Sequence, residues 1–518
     1  MLAAKVGSSS VNDVEKRKQP GWKSIIAWGS GDIFGSGSGT IIGLWMLYFF
    51  TQVAGLSPVE AGLIFAIGKL WDAITDPIVA YITDNIRTRF GRRKVFFLFG
   101  APFLIVFGLM FISGFGFAYY LATYLLFNTM FTVVMTPYCT LPNEMTDDYE
   151  IRTKMGSCRL TFGQITAFVV TLIPGLIMSN VEDEAQAFIY IGFLFGFIFT
   201  LPWYFIYKYT WEIEPSRLPP QKEVSSIKET LVDLYKEMAS TLQIKTFRIH
   251  LMMYIGGSVA LDIFGALFLH YITFNLNLSA GEGGQILSVM TFMQFFGVLT
   301  FTWFALKIGN ANAYKIALGL MFVSLAFFAI LPNFAFDMSK AVFFGAVLIG
   351  LARGGIYLIP WVIFNSIPDV DEILTGRRRA GIFSGVMTLG RKICQASAML
   401  IASIGLQWVG FESGAKVQTS ETISGLYWLF LIGPTCLAII ALFGATLFKL
   451  TKQNHRILID EVSRLRNGGA KQDALPHVVS VVEELTGWEY KYMWGDKKKK
   501  ETTYLLRSGS SDETVIER

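Results

Sequence analysis

The sequence predicts an all-α membrane protein whose twelve transmembrane helices form two halves of six. The chain has 518 residues, of which 53% are hydrophobic and 16% are charged, and its mean hydropathy is +0.48. A typical soluble domain carries about 25% charged residues. The apolar runs are long and continuous, whereas a membrane β-barrel has short alternating segments. The composition therefore excludes a soluble enzyme, a fibrous protein and a disordered chain.

Twelve apolar runs are each long enough for a spanning helix, which needs about 20 residues. Turn signals separate them, for example Gly55-Leu56-Ser57-Pro58 after the first run and Pro332-Asn333 after the ninth. The predicted spans are 25–53, 58–84, 95–115, 117–138, 155–179, 186–208, 247–275, 283–306, 313–332, 340–366, 379–408 and 423–450.

Basic residues are concentrated in alternate loops. One set of loops contains Arg87, Arg89, Arg92, Arg93, Lys94, Arg152, Lys154, Arg377, Arg378 and Arg379, and the opposite set contains Lys340 and Lys416. The positive-inside rule then puts the arginine-rich loops and both termini in the cytoplasm. Because the first 24 residues are polar, we expect no cleavable signal peptide.

These features divide the chain into five predicted segments: a cytoplasmic N-terminal tail (1–24), a first six-helix half (25–208), a cytoplasmic linker with an amphipathic helix near 225–241 (209–246), a second half (247–450) and a cytoplasmic C-terminal tail (451–518). A weak repeat supports the halves. Pro137-Tyr138 and Pro360-Trp361 are each followed about ten residues later by an acidic group and then by basic residues. Two similar halves with a site between them are typical of secondary transporters. The final segment is interpreted as a solvated tail, or as one whose aromatic residues and lysines touch anionic lipid.

The sequence does not favour a zinc site, a disulfide framework, an enzyme or a nucleic-acid binder. The four cysteines have no CxxC spacing and the four histidines do not cluster. HExxH and GxSxG motifs are absent. The net charge of +5 is too diffuse to indicate nucleic acid.

Asp72 and Asp76 are the most informative charges, because a charge at mid-bilayer costs about 2.5–3.5 kcal/mol. They are four residues apart in the second span, so both carboxylates lie on one face of a helix. Such a pair repels at low dielectric, and a proton or a hard cation would relieve the repulsion. The alternative is a structural ion pair with Lys69 and a second base. We expect instead that the carboxylates stay unpaired until a cation binds.

Basic residues beyond Lys69 also lie within predicted spans. Arg159, about one turn into the fifth span, could snorkel to the surface, grip substrate oxygens or pair with an Asp. Lys392 lies about 20 Å along the helix beyond the arginine-rich loop, too deep to snorkel, and is predicted to line a cavity. Arg353 in the tenth span and Asp262 in the seventh either line the cavity or pair with each other.

Two further groups are interpreted as gates. Asp32 in the first span either faces the cavity or closes a cytoplasmic gate. Asp84, at the cytoplasmic end of the second span, is followed by Gly91, Arg92 and Arg93. An acid before a Gly-Arg-Arg turn predicts an interlock between neighbouring helices that changes with conformation.

The string Asp72-Ala73-Ile74-Thr75-Asp76-Pro77, with Asp84 and Gly91-Arg92-Arg93-Lys94 after it, resembles the glycoside–pentoside–hexuronide:cation symporters of the major facilitator superfamily, the family of the melibiose permease. The segments from Pro137 to Arg159 and from Thr375 to Phe383 share the resemblance, which covers about residues 25–450. The resemblance implies the major facilitator fold and alternating access. It also implies that Asp72 and Asp76 bind the cation with Thr132, and that Arg159 and Lys392 line the cavity.

The chain departs from this family where galactoside carriers use two acids and a Trp. The matching positions here are Ser36, Met135 and Cys139. Because acids are lost while Arg159 and Lys392 remain, we predict an anionic substrate. A shift of register in the first span would make Asp32 the equivalent acid.

The predicted function is therefore symport of an acidic, uronide-type saccharide coupled to Na⁺ or H⁺. Thr132 favours sodium, because a hydroxyl coordinates a metal ion. We expect no organic cofactor, no enzymatic activity, and a monomer in the plasma membrane of a bacterium (the inner membrane). The saccharide and the lipid bilayer are the expected partners. The alternatives are a cation-coupled lysolipid carrier and a non-transporting membrane sensor or scaffold.

Overall fold

The computed structural model describes residues 19–146, 148–213, 235–333 and 338–495, and these ranges are helical without a β-strand. Twelve helical segments follow in order, and the first is broken into Trp22–Gly29, Asp32–Leu44 and Met46–Val53. The second to twelfth spans are Pro58–Asn85, Lys94–Phe111, Phe117–Thr140, Tyr149–Asn180, Glu184–Tyr209, Lys245–Asn275, Ala280–Ile308, Asn310–Ile330, Met338–Phe364, Ala380–Trp408 and Ser420–Leu447. The all-α fold class is confirmed.

The second and eleventh spans are less apolar than the other ten. Among the described helices, nine are long and apolar enough to cross a membrane, and the broken first helix, bent by 45°, makes a tenth. The second and eleventh have 28 and 29 residues, which is about 42 Å of helix. They contain Asp72, Asp76, Arg391 and Lys392 and pack against each other between the two halves. Charged residues inside a membrane protein are expected at such an internal interface.

The two halves meet closely at the end of the bundle opposite the arginine-rich loops. There Thr51 hydrogen-bonds His270 across 2.9 Å, and Gln285 donates to Ser179 across 3.2 Å. The fifth and eighth spans touch through backbone, since a Cβ added to Gly175 would lie 2.7 Å from the Gln285 nitrogen. Only glycine permits that approach. This end of the interface is closed.

Toward the arginine-rich loops the same interface opens. Leu160 in the fifth span and Trp361 in the tenth both line cavities between the halves, and they are 68% and 41% exposed. Thr291, deeper in the same cavity, is buried. The cavity is therefore accessible from the face that carries the arginines.

The C-terminal segment, which the sequence predicts to be a tail, is folded as far as residue 495. Helices Lys452–Arg466 and Pro476–Thr486 pack beneath the second half, against the short helix Ile367–Thr375. The backbone N–H of Trp494 donates to Ile373 across 2.8 Å, and Tyr490 is 6% exposed. The aromatic residues thus stabilise this small domain. The lysines at 497–500 and most of the predicted linker helix near 225–241 lie outside the described residues; 235–241 is helical.

Candidate functional site

The two carboxylates of the second span each contact a lysine. Lys69 Nζ lies 3.1 Å from Asp72 Oδ2, and Lys392 Nζ contacts Asp76 Oδ2 from the opposite half. The expectation that both acids remain unpaired is therefore wrong in this conformation. The sequence spacing reveals Lys69, one turn before Asp72, but only the packing of the eleventh span on the second brings Lys392 to Asp76.

The lysines do not use all of the carboxylate oxygens. Asp72 is 4% exposed, and its Oδ1 is buried without a hydrogen-bond partner among the described residues. Thr132 in the fourth span donates to Asp76 Oδ1 across 2.9 Å. An orphaned carboxylate oxygen, a second carboxylate and a hydroxyl form the kind of oxygen-only ligand set that suits a hard cation. The structure thus brings Thr132, which the family resemblance implied, to Asp76, and Asp72 lies one turn away on the same helix.

Arg159 pairs with an acid, which was one of its three predicted roles. Its Nε lies 2.9 Å from Asp32 Oδ1, and its guanidinium lies 5.3 Å from the centre of the Tyr138 ring. Ser36, one turn along the first span, donates to Asp32 Oδ2 across 2.6 Å. Asp32 is buried at the start of Asp32–Leu44, just after the glycine-rich break. These residues form one polar group in the wall of the first half.

Of the two alternatives for Arg353 and Asp262, the structure does not show the pair. Asp262 accepts hydrogen bonds from both terminal nitrogens of Arg391. It also accepts one from the Tyr357 hydroxyl across 3.3 Å. Arg353 Nε instead donates to Gln294 Oε1 across 3.2 Å. Arg391 forms the ion pair with Asp262 because the eleventh span packs directly against the seventh. Arg353, Asp262 and Arg391 all line the central cavity, so the geometry supports the other alternative, a cavity position for Arg353 and Asp262.

The predicted interlock at the end of the second span has an acid that the sequence analysis missed. Glu144 Oε1 contacts Arg92 Nη2 and lies 2.5 Å from Arg93 Nε. Glu212, after the sixth span, accepts the backbone N–H groups of Arg92 and Arg93. The Asp84 side chain lies outside the described residues. The sequence signal that could have identified Glu144 is an acid in Leu-Pro-Asn-Glu, directly after an apolar span.

The site is distributed over adjoining cavities between the halves. A central cavity of about 530 Å³ is lined by Asp32, Ser36, Asp262, Arg353 and Arg391. A smaller cavity of about 200 Å³ is lined by Lys69, Asp72 and Lys392. Both cavities share Gly35, Gly39 and Gln395, so they adjoin. A solute in the central cavity would therefore lie close to the smaller cavity that contains Asp72, whereas Asp76 lines the crevice between the second and eleventh spans.

Comparison with known families identifies the chain. A model described as "MFS/sugar transport protein" matches residues 27–452. The chain belongs to this family. It is a multi-pass membrane transporter and not an enzyme, and its resemblance to the glycoside–pentoside–hexuronide:cation symporters is confirmed.

Relatives of this transporter differ in their cargo. It is 27% identical to the uncharacterized symporter YjmB of Bacillus subtilis, over 88% of this chain and 98% of that protein. It is 20% identical to the glucuronide carrier protein homolog of Escherichia coli, over 86% and 96%. It is 22% identical to the sodium-dependent lysophosphatidylcholine symporter 1 of Gallus gallus, over 84% and 86%.

Solved structures support the fold. A bacterial homolog of the human lysosomal transporter Spinster superposes with a TM-score of 0.60 at 12% identity, covering 85% of this chain and 97% of that one. At this identity the likeness concerns the fold alone, and it agrees with the major facilitator architecture expected from the sequence.

Proposed function

We propose that the protein is a cation-coupled symporter that carries an acidic saccharide across a bacterial inner membrane by alternating access. The observation that carries this proposal is the contact of Lys392, from one half, with Asp76 in the other. Because Lys392 also lines the smaller cavity that adjoins the central one, this contact links a candidate cation ligand to the surroundings of a solute. Such an arrangement can make the binding of one ligand depend on the other.

The coupling follows from competition for one carboxylate. A cation that binds Asp72, Asp76 and Thr132 displaces the Lys392 ammonium from Asp76, because both are positive. The freed Lys392 can then bind an anionic group of the solute. When the cation leaves, Lys392 returns to Asp76 and the solute loses its partner. An anionic substrate therefore binds best when the cation is bound, which is the requirement for symport.

The orientation follows from the arginine-rich loops. If these loops are cytoplasmic, as the positive-inside rule requires, the open cavity faces the cytoplasm and both termini lie there. In this conformation Lys392 occupies the place of the departed cation. We propose that the chain works in this way as a monomer, since the cavity is built from one chain's two halves.

Transport into proteoliposomes tests this function. We expect an inward Na⁺ gradient, or in a parallel arm an inward proton gradient, to drive accumulation of 4-nitrophenyl β-D-glucuronide by the wild-type protein. Asp72→Asn and Asp76→Asn should each abolish the gradient dependence. Asp460→Asn, an exposed position on the C-terminal domain, is the matched control. Uptake that ignores both gradients would contradict coupled transport, and no uptake of any solute would favour a sensor or scaffold.

A lysolipid carrier is the second candidate, because a lateral crevice lies between the second and eleventh spans. The crevice has a volume of about 660 Å³ and is lined by apolar residues such as Leu70 and Ile393, which are 68% and 56% exposed. Lys69, Asp76 and Lys392 form its polar end. A single acyl chain could lie along the apolar wall with a zwitterionic headgroup at these charges. Cation-driven uptake of lysophosphatidylcholine, with none of the glucuronide, would favour this candidate.

A further inference from the structure

The charged residues of the cavities nearly cancel, and one is left over. Nine charged side chains line the cavities between the halves. Eight of them form four ion pairs: Lys69 with Asp72, Lys392 with Asp76, Arg159 with Asp32 and Arg391 with Asp262. The ninth is Arg353, for which no carboxylate lies within ion-pair distance in the described part of the chain. The cavity lining thus carries one uncompensated positive charge.

The backbone of the tenth span fixes the position of Arg353. The next residue, Gly354, touches the eighth span so closely that an added Cβ would lie 2.4 Å from the Gly297 carbonyl carbon. This contact brings the Arg353 side chain to Gln294, three residues before Gly297, and to Tyr357, one turn further along its own helix. Its guanidinium carbon lies 5.4 Å from the centre of the Tyr357 ring. The guanidinium is therefore held at two sides by neutral groups.

The donors of Arg353 are only partly used. The side chain's single hydrogen bond within the described residues runs from Nε to Gln294, so the two terminal nitrogens remain available to the cavity. Arg353 is 8% exposed, and a guanidinium so buried is costly to desolvate unless an anion faces it. Asp262 cannot supply that anion, because Arg391 already occupies both of its oxygens.

We propose that Arg353 binds the anionic oxygen group of the transported molecule, with Gln294 and Tyr357 positioning its guanidinium. The inference rests on the transport function proposed above and names the residue that selects an acidic substrate. Two free terminal nitrogens match the two oxygens of a carboxylate in a bidentate contact. We assign a uronide carboxylate as this group; a phosphate would present similar anionic oxygens to the guanidinium. Arg159 and Lys392, which the sequence favoured for this role, have carboxylate partners in this conformation, so Lys392 would reach the same anion only after a cation has displaced it from Asp76.

Binding to the purified full-length protein in Na⁺ buffer tests this assignment. The probes are 4-nitrophenyl β-D-glucuronide and 4-nitrophenyl β-D-glucoside, which differ at one carboxylate. We expect Arg353→Gln to weaken glucuronide binding about ten- to a hundredfold, the worth of a charge-assisted hydrogen-bond pair. Glucoside binding should change less than threefold. Arg353→Lys should recover part of the preference. Gln294→Glu should also remove the preference for glucuronide, because the new carboxylate would form an ion pair with Arg353 and compete with the substrate.

Arg248→Gln is the matched control, since this arginine in the same half hydrogen-bonds backbone carbonyls at the exposed end of the seventh span. An unchanged ratio of glucuronide to glucoside affinity in Arg353→Gln overturns the inference. So does an equal loss of both probes in a variant that keeps the wild-type melting temperature. Failure of the wild type to bind either glycoside, with binding of lysophosphatidylcholine, contradicts the proposed saccharide. In that case an Arg353→Gln loss of lysophosphatidylcholine binding still supports the anion site, and no loss overturns it.

Discussion

Replacing Lys392 with alanine should tighten cation binding, because the lysine competes with the cation for Asp76. The size of the effect follows from the exposure of the pair. The Lys392 and Asp76 side chains are 30% and 37% exposed, so water screens their attraction. An ion pair of that exposure is worth up to about 1 kcal/mol. Removing the competitor should therefore lower the Kd for Na⁺ by at most about fivefold. The same variant should lose coupling, since no ammonium then moves between Asp76 and the substrate.

The assay is a Na⁺ titration of the purified protein, followed by melting temperature or by tryptophan fluorescence. Trp71, next to Asp72, is a natural reporter because its indole N–H donates to Thr129 in the fourth span across 2.9 Å. Choline should replace Na⁺ so that ionic strength stays constant, since exposed pairs are weakened by salt. Lys307→Ala is the control, a lysine that lies over the Trp303 ring at the end of the eighth span. A Kd in Lys392→Ala that equals or exceeds the wild-type value would refute the competition.

Three other predictions concern stability. Arg391→Met should destabilise the protein by about 3 kcal/mol in detergent melts, because Asp262 is left buried without a counterion; adding Asp262→Asn should restore part of this, and an undiminished loss would speak against the pair. Gly354→Ala should cost about 1–3 kcal/mol, since its Cβ would meet the eighth span, whereas Gly390→Ala, with no atom within 4 Å, should not destabilise. In the C-terminal domain burial raises the pKa of Glu461, but hydrogen bonds from arginine and tyrosine outweigh it and the pKa is lowered overall. A carboxylate with a lowered pKa stabilises the folded state above its unfolded pKa of about 4.3 and loses that effect as pH falls. The hydrogen-exchange protection factors in 452–466, which are corrected for the intrinsic pH dependence of exchange, should therefore fall below that pH and stay constant between pH 6 and 8.

The membrane architecture could be predicted because it depends on local composition. The predicted spans differ from the observed helices by a few residues at most ends. The largest differences are the third span, which ends at Phe111 and not at 115, and the fifth, which begins at Tyr149 and not at 155. The extra turn of the fifth span is polar, and Asp148 caps it by accepting the Ile151 N–H. Hydropathy does not detect the part of a helix that extends beyond the membrane, because that part is polar.

The C-terminal domain could not be predicted from the same signals. Residues 452–466 are polar on average, and a solvated tail would have the same average polarity. Their buried side chains, such as Leu458 and Val462, are few and recur at helical spacing. They find partners only because the short helix after the tenth span lies within reach, joined by contacts such as His455 with Asp369. Burial of a sparse apolar face needs a neighbour that is distant in sequence.

The sequence alone determined that the chain spans the membrane and that Asp72 and Asp76 share one helix face, because hydropathy and helical period are local properties. It also identified nearly every charged residue of the cavity. Only the tertiary structure decided which charges neutralise one another. Lys392 pairs with Asp76 and Arg391 pairs with Asp262. Arg353 hydrogen-bonds the neutral side chain of Gln294. These contacts join helices that lie 59 to 316 residues apart in the sequence, and side chains compete for the same oxygen. That competition is invisible until the helices are packed.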